Sequence, residues 1–167
     1  MGCGAIVAIV ADTHLPRGSR ALSEACVAAI GTADLLIHAG DFSGLSAYEG
    51  FAAIGPPLVA VHGNVDDREL RARLPESTVV EVGRARIGLI HDAGPARGRL
   101  ARLRRRFPEA DAVVFGHSHL PLLERDEAGA FQIFNPGSPT DRRRAPEHTM
   151  GLAEVAAGEV RFRHLEV

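Results

Sequence analysis

Five short apolar runs mark the first two thirds of the chain, at residues 5–10, 34–39, 57–62, 85–90 and 110–115. Each is too brief for a helix, and several are rich in valine and isoleucine, so the pattern predicts strands. Between them apolar positions recur at helical spacing. After Ser19, the residues Leu22, Cys26, Ala29 and Ile30 share a face, and Gly31 offers a stop. After Ser43, Leu45, Tyr48, Phe51 and Ala52 do the same, ending at Gly55, while Leu100, Leu103 and Phe107 form a stripe within residues 98–107. A shorter helix is expected over residues 66–74. Strand and helix signals in alternation argue for an α/β domain joined by crossovers.

The rhythm then changes to hairpins. Residues 78–82 face 86–90 across Gly83-Arg84, residues 120–124 face 131–134 around Asp126-Glu127-Ala128-Gly129, and residues 151–156 face 160–165 around Ala157-Gly158. Three hairpins crowded into the second half cannot all extend one short parallel sheet. Two sheets packed face to face, with helices outside, accommodate them. No repeat or linker divides residues 1–167, so a single domain is expected.

Composition narrows the function. Apolar residues make up 46% and charged residues 24%, and the net charge of −2 gives no global pull toward nucleic acid or an anionic membrane. All 19 basic residues are arginine. Without lysine there is no P-loop lysine, no Schiff base and no kinase-type strand lysine. Cys3 and Cys26 are too few for a disulfide framework or a cysteine-built cluster. The N-terminal stretch around Cys3 lacks a basic region, and no 18-residue apolar span follows it, so a cytoplasmic protein is expected.

Each apolar run ends in residues of one chemical kind: Asp12-Thr13-His14, Gly40-Asp41, Gly63-Asn64-Val65-Asp66, His91-Asp92 and Gly116-His117-Ser118-His119. Ligands bind beyond the carboxyl ends of strands in open α/β sheets, so if the five runs share one sheet, these residues converge on one edge. Asp-x-His and His-x-His have the period of a strand, which aims both side chains at one centre. Seven ligands exceed the needs of one tetrahedral ion but suit two ions sharing a carboxylate. Imidazole, carboxylate and amide oxygens favour borderline divalent ions, with manganese first and zinc, nickel, cobalt or iron as alternatives. Two dications against two carboxylates leave a cationic cleft that attracts phosphate.

In order and spacing, these motifs resemble those of the calcineurin-like metallophosphoesterases, and with Asn135-Pro136-Gly137-Ser138 downstream they resemble the small bacterial and archaeal phosphodiesterases of that superfamily. The retromer subunit Vps29 is related to the same branch. The resemblance covers roughly residues 5–140 and implies a four-layer α/β/β/α sandwich of two mixed sheets flanked by helices. It implies Asp12, His14, Asp41 and His119 at one metal, and Asp41 (bridging), Asn64, His91 and His117 at the other. It further implies that a hydroxide between the ions attacks phosphorus in line, with the Asn64 amide stabilising charge on the phosphoryl oxygens.

Three places depart from the pattern. Val65 stands where many relatives place a candidate acid histidine, which predicts a phosphodiesterase acting on aryl or nucleoside esters over alkyl monoesters. Asp92-Ala93 replaces the usual Gly-His after His91. His62, where relatives often have arginine, is a candidate substitute acid or phosphate contact, or a purely structural residue. Among Arg142, Arg143 and Arg144, Arg142 is the chosen phosphate-binding candidate.

Plainer readings compete for other residues. His38 lies inside its run and reads as a core histidine or one orienting a ligand. Asp66 reads as a helix N-cap, the arginines of residues 99–106 as a solvated face, and His148 and His164 as surface residues. Two further function classes stand beside the phosphodiesterase: a Vps29-like scaffold without catalysis, and a serine hydrolase using Ser118, Asp141 and His148 in the chain order of α/β-hydrolases. The expected partner is a small phosphodiester, with no membrane or nucleic acid, and a homo-oligomer is compatible with the sequence.

Overall fold

The computed structural model describes residues 4–167. Cys3 and the extreme N-terminus, on which the reading of a missing leader partly rested, lie outside the described residues.

The five predicted runs form β1 (Ala5–Val10), β2 (Leu35–His38), β3 (Leu58–Ala60), β5 (Ala85–Ile90) and β6 (Ala112–Val114). The three hairpins supply β4 (Ser77–Val82), which pairs with β5, together with β7 (Leu122–Arg125), β8 (Gln132–Asn135), β9 (Thr149–Ala156) and β10 (Glu159–Glu166). One sheet has the order β10-β9-β1-β2-β3 and the other β4-β5-β6-β8-β7. The five runs therefore do not share one sheet. Parallel pairing holds β1, β2 and β3 together in the first and β5, β6 and β8 in the second.

Alternation along the strands explains why the sheets stack. Val7 and Ile9 of β1 face inward, where they join Ile37, Ile87, Leu89, Val114, Phe134 and Phe162 in a core between the sheets. Ala8 and Val10 face outward, against Cys26, Ile30, Phe51 and Leu70 of the helices on that side. Those helices are α1 (Glu24–Gly31), α2 (Leu45–Ala52) and α3 (Arg68–Arg73). On the far side Leu103 of α4 (Arg99–Arg106) and Phe107 at its C-terminal end cover Val113, Phe131 and Ile133. Strands buried on both faces read as unbroken apolar runs, and each buried Val, Ile, Leu or Phe contributes about 1.5–3 kcal/mol. The result is the four-layer α/β/β/α sandwich. No helix of the described residues is long and apolar enough to cross a membrane.

Two helix starts differ from expectation. α1 begins after Ser23, whose hydroxyl accepts from the Cys26 amide, and not after Ser19. α3 is capped by Asp67, whose side chain accepts from the Leu70 amide. Asp66, expected as that cap, does something else. It is buried, and its Oδ2 accepts from the amides of Asp41 (3.0 Å) and Gly63 (2.7 Å), while Oδ1 accepts from that of Ser43 (2.8 Å). One carboxylate thus ties the loop after β2 to the loop after β3.

The arginines of α4 are not simply solvated. Arg102 donates to the carbonyls of Ala93 and Pro95, Arg104 donates to that of Ala110, and Arg99 and Arg104 lie over the rings of Phe115 and Phe131. They cap loops of their own chain. His164 also departs from a surface role: it stacks on Phe134 and reaches the Asn135 carbonyl at 2.8 Å.

Replacing Asp66 by Asn sets an amide NH2 against at least one of three N–H donors. Losing hydrogen bonds to a charged acceptor at about 1.5–3 kcal/mol each makes a loss of about 3 kcal/mol the expected outcome. Thermal denaturation of Asp66→Asn should show a melting point lower by about 6–12 °C.

Candidate metal centre

The carboxyl ends of β1, β2, β3, β5 and β6 lie at the same end of the two sheets, so the site forms where the sheets meet and not along the edge of one. The backbone there is unusual. Asp12, His14, Asp41, His117 and His119 all adopt positive φ, between 45° and 70°. Non-glycine residues visit this region rarely, at a cost of order 1–3 kcal/mol each, and such residues cluster at functional sites. The neighbouring glycines make the close approach possible. Gly40 has φ of 92°, and a Cβ on Gly63 would collide with the carboxylate and amide of Asp41.

Hydrogen bonds from the rest of the chain brace these loops. The Ser138 hydroxyl donates to the Asp12 carbonyl and that of Thr140 to the Thr13 carbonyl. The buried Asn135 side chain donates to Gly116 and accepts from Gly137, so the Asn-Pro-Gly-Ser turn is welded to the first and fifth motifs. Arg71 of α3 donates to the carbonyls of Asn64 and Asp66 and fixes the third. Sequence reading missed Asn135, Thr140 and Arg71 as braces because each acts on a backbone atom. His38 is a core residue: it accepts from the Gly40 amide, faces the Thr13 hydroxyl at 3.0 Å and stacks on Phe42.

The predicted ligands then fall into two overlapping groups, Asp12 with His14 and His119, and Asp12 with Asp41 and His91. Within each group the ligand atoms lie within 4.8 Å of one another. The Asp41 Oδ2 stands 3.7 Å from His14 Nε2 and 3.3 Å from His91 Nε2, so both carboxylates lie between the histidines. Asn64 completes the second group, its Oδ1 lying 3.0 Å from His91 Nε2 and 3.1 Å from His117 Nδ1. All seven predicted ligands are brought together.

Electrostatics shows what the centre lacks. Burial pushes the Asp12 carboxyl up to about 7, despite His91 nearby, and its Oδ2 is buried with no hydrogen-bond partner. Burial also acts upward on Asp41, but the hydrogen bond and charge of His91, the Val65 amide and His14 hold it down at about 2. Burial lowers His14, and it brings His119 down to about 4. His91 is the exception: burial pulls it down, but Asp41 and Asp12 outweigh that and raise it.

The ring orientations explain this. His91 Nδ1 faces the Ala39 carbonyl at 2.8 Å and His119 Nδ1 faces that of Asp141. Carbonyls only accept, so both Nδ1 atoms carry protons and both Nε2 atoms point inward, free to bind a cation once any proton there is displaced. There His91 Nε2 meets only acceptors, and His119 Nε2 lies 3.2 Å from His14 Nε2. Nitrogen and oxygen lone pairs converging in a buried space call for a cation, and the donor set fits a borderline divalent metal.

The remaining candidates sit around the rim. His62 is half-buried and lines a cavity of about 230 Å³ beside Asn64 and His91. Arg142 donates to the Ala145 carbonyl in its own turn, at 2.7 Å. The arginine whose charge reaches Asp12, His14 and His119 is Arg143. Ser118 accepts from the Asn135 side chain and the Leu120 amide, and the chain after it enters β7 and not a helix. The nucleophile elbow of a serine hydrolase requires that helix, so this alternative loses its structural context.

Comparison with known proteins agrees with the site. Residues 6–158 match the calcineurin-like phosphoesterase superfamily domain. A probable metallophosphoesterase of Methanothermobacter thermautotrophicus is 32% identical over 149 residues, covering 88% of this chain and 84% of its own. One of Methanocaldococcus jannaschii is 31% identical over 143 residues, covering 84% and 71%. Among solved structures, Vacuolar Protein Sorting 29 of Cryptosporidium parvum superposes with a TM-score of 0.76 at 21% identity, covering 99% of both chains, a likeness of fold. Family match, relatives and donor set coincide, and the chain belongs to the calcineurin-like phosphoesterase superfamily.

Proposed function

We propose that this metallophosphoesterase is a phosphodiesterase holding two divalent cations, manganese first among them. Asp12, His14 and His119 would hold one ion and Asn64, His91 and His117 the other, with the Asp41 carboxylate shared between them. The observation that carries the reading is the buried, unpartnered Oδ2 of Asp12 amid inward-facing histidine nitrogens. When bound, the ions would supply Lewis acidity toward a phosphoryl group and lower the pKa of water in the cleft.

The chain's own residues do the rest. The Asn64 Oδ1 faces His91 and His117, which turns its NH2 outward to donate to a phosphoryl oxygen where charge develops. Arg143, whose charge acts on Asp12, His14 and His119, takes the phosphate-binding role in place of Arg142. Val65 is 46% exposed at the rim and donates only its backbone amide, to Asp41, so it has no proton for a leaving group. His62 is the nearest candidate for that task. Without a histidine at position 65, diesters with stable leaving groups are the favoured substrates and alkyl monoesters the poor ones. The likeness to Vps29 supports the competing reading of a non-catalytic scaffold, and the complete donor set speaks against it.

Protein loaded with Mn²⁺ is expected to hydrolyse bis-p-nitrophenyl phosphate, and Asp41→Ala to lower kcat/KM by more than about 100-fold, since even groups that only orient a ligand are worth about 10–100-fold. Turnover unaffected by chelator points to the serine hydrolase, and no metal-dependent turnover to the scaffold. An alkyl phosphomonoester turned over as fast as the diester would refute the diester preference.

A second expectation concerns protons. Asp12 and His91 both hold protons more tightly than usual in the metal-free fold. A cation must displace those protons, so its affinity falls as pH drops below about 7. Scanning fluorimetry should show Mn²⁺ raising the melting temperature more at pH 8 than at pH 6, a gap that shrinks in Asp12→Asn.

A further inference from the structure

The cavity beside the metal centre differs in charge from the centre itself. Asn64 and His91 form the wall it shares with the centre, and the remaining lining includes His62, Arg71, Glu76, Ile90 and Asp92. Glu76 has no ion-pair partner among the described residues. Asp92 uses Oδ1 to accept from the Gly94 amide, at 2.7 Å. Arg71, the single permanent cation, spends Nε and Nη2 on the carbonyls of Asp66 and Asn64. Two carboxylates against one committed guanidinium leave the space net negative, with Ile90 as an apolar patch. Its volume of about 230 Å³ lies below the ~300 Å³ at which pockets begin to hold drug-sized groups.

We infer that this cavity receives the retained ester arm of the substrate and selects a small arm that is cationic or rich in hydrogen-bond donors, such as an amino alcohol, over one carrying a second anionic group. The inference rests on the phosphodiesterase reading and names the substrate class of the same site. The cationic centre attracts the phosphoryl group, and the acidic cavity about one residue away repels a further phosphate or carboxylate. Substrates with charge on both sides of the scissile phosphate, as in a polynucleotide or polyphosphate, are thereby disfavoured. Asp92, which stands where relatives of this pattern carry glycine, is one of the two residues responsible.

The test uses three p-nitrophenyl phosphodiesters that share the p-nitrophenolate leaving group and differ in the retained arm: aminoethyl, hydroxyethyl and carboxymethyl. The Mn²⁺-loaded enzyme is expected to prefer aminoethyl over carboxymethyl by about tenfold in kcat/KM, mostly through KM. The preference should shrink in 0.5 M salt, because an open cavity is screened. Glu76→Gln/Asp92→Asn should reduce it to within about twofold, with melting temperature and its Mn²⁺ shift reporting that the fold and centre survive. Equal turnover of all three arms, or a preference that persists in the double variant, overturns the inference while hydrolysis of bis-p-nitrophenyl phosphate upholds the phosphodiesterase. Failure to hydrolyse any diester overturns both.

Discussion

Two carboxylates buried side by side are the constraint to which the rest of this structure answers. Asp12 is fully buried and Asp41 nearly so, and both face histidines at strand ends. A carboxylate taken from water without a partner costs several kcal/mol, so such a pair persists only with compensation. Part of that compensation is a proton: burial pushes Asp12 up to about 7, and the carboxylates raise His91. A divalent cation does the same work with more charge. That proton and metal would compete for these groups follows from the burial of Asp12 and from the carboxylates around His91.

The backbone adds a cost of its own. Five ligand residues held at positive φ would relax if the loops were free, so something must over-determine them. Asp66 binds two loops through three amides, Ser138 and Thr140 grip the carbonyls of Asp12 and Thr13, and Arg71 holds the carbonyls around Asn64. Histidine tautomers belong to the same scheme, since the carbonyls of Ala39 and Asp141 decide which nitrogen faces inward. The centre is preorganised mainly by hydrogen bonds between side chains and backbone, and these bonds are spread over motifs far apart in sequence.

That distribution explains what the sequence showed and what it hid. Strands were legible because both faces of β1 and β6 are buried, which leaves unbroken runs with no ambiguity of phase. The candidate ligands were legible because each follows the end of such a run. Two sheets were legible from the crowded hairpins, but which run joins which sheet was not, because pairing partners are not written in a run: β3 and β5 look alike but belong to different sheets. Asp66 and Asp67 are adjacent and chemically identical, and only the position of the Asp41 and Gly63 amides assigns one to the loops and the other to the cap. Arg142 and Arg143 pose the same problem. Arg142 is tied to the Ala145 carbonyl while the charge of Arg143, a left-handed residue, bears on Asp12 and His119, and no local pattern announces the difference.

The acidic wall of the neighbouring cavity bears on why the metal ligands alone under-specify function. Any member of the superfamily that keeps the seven donors can bind ions and a phosphoryl group, so discrimination between substrates must come from groups that leave the ions alone. Here those groups lie within two residues of candidate ligands in sequence but outside the donor set: His62 two before Asn64, Val65 after Asn64 and Asp92 after His91. Each alters the surroundings of the cleft without altering the donors. Val65 offers no side-chain proton and Asp92 adds a negative charge, and on the proposed reading both changes would act on the organic arms of a substrate and not on its phosphorus. Selection on such positions can therefore redirect specificity while the buried carboxylates, and the fold that compensates them, stay as they are.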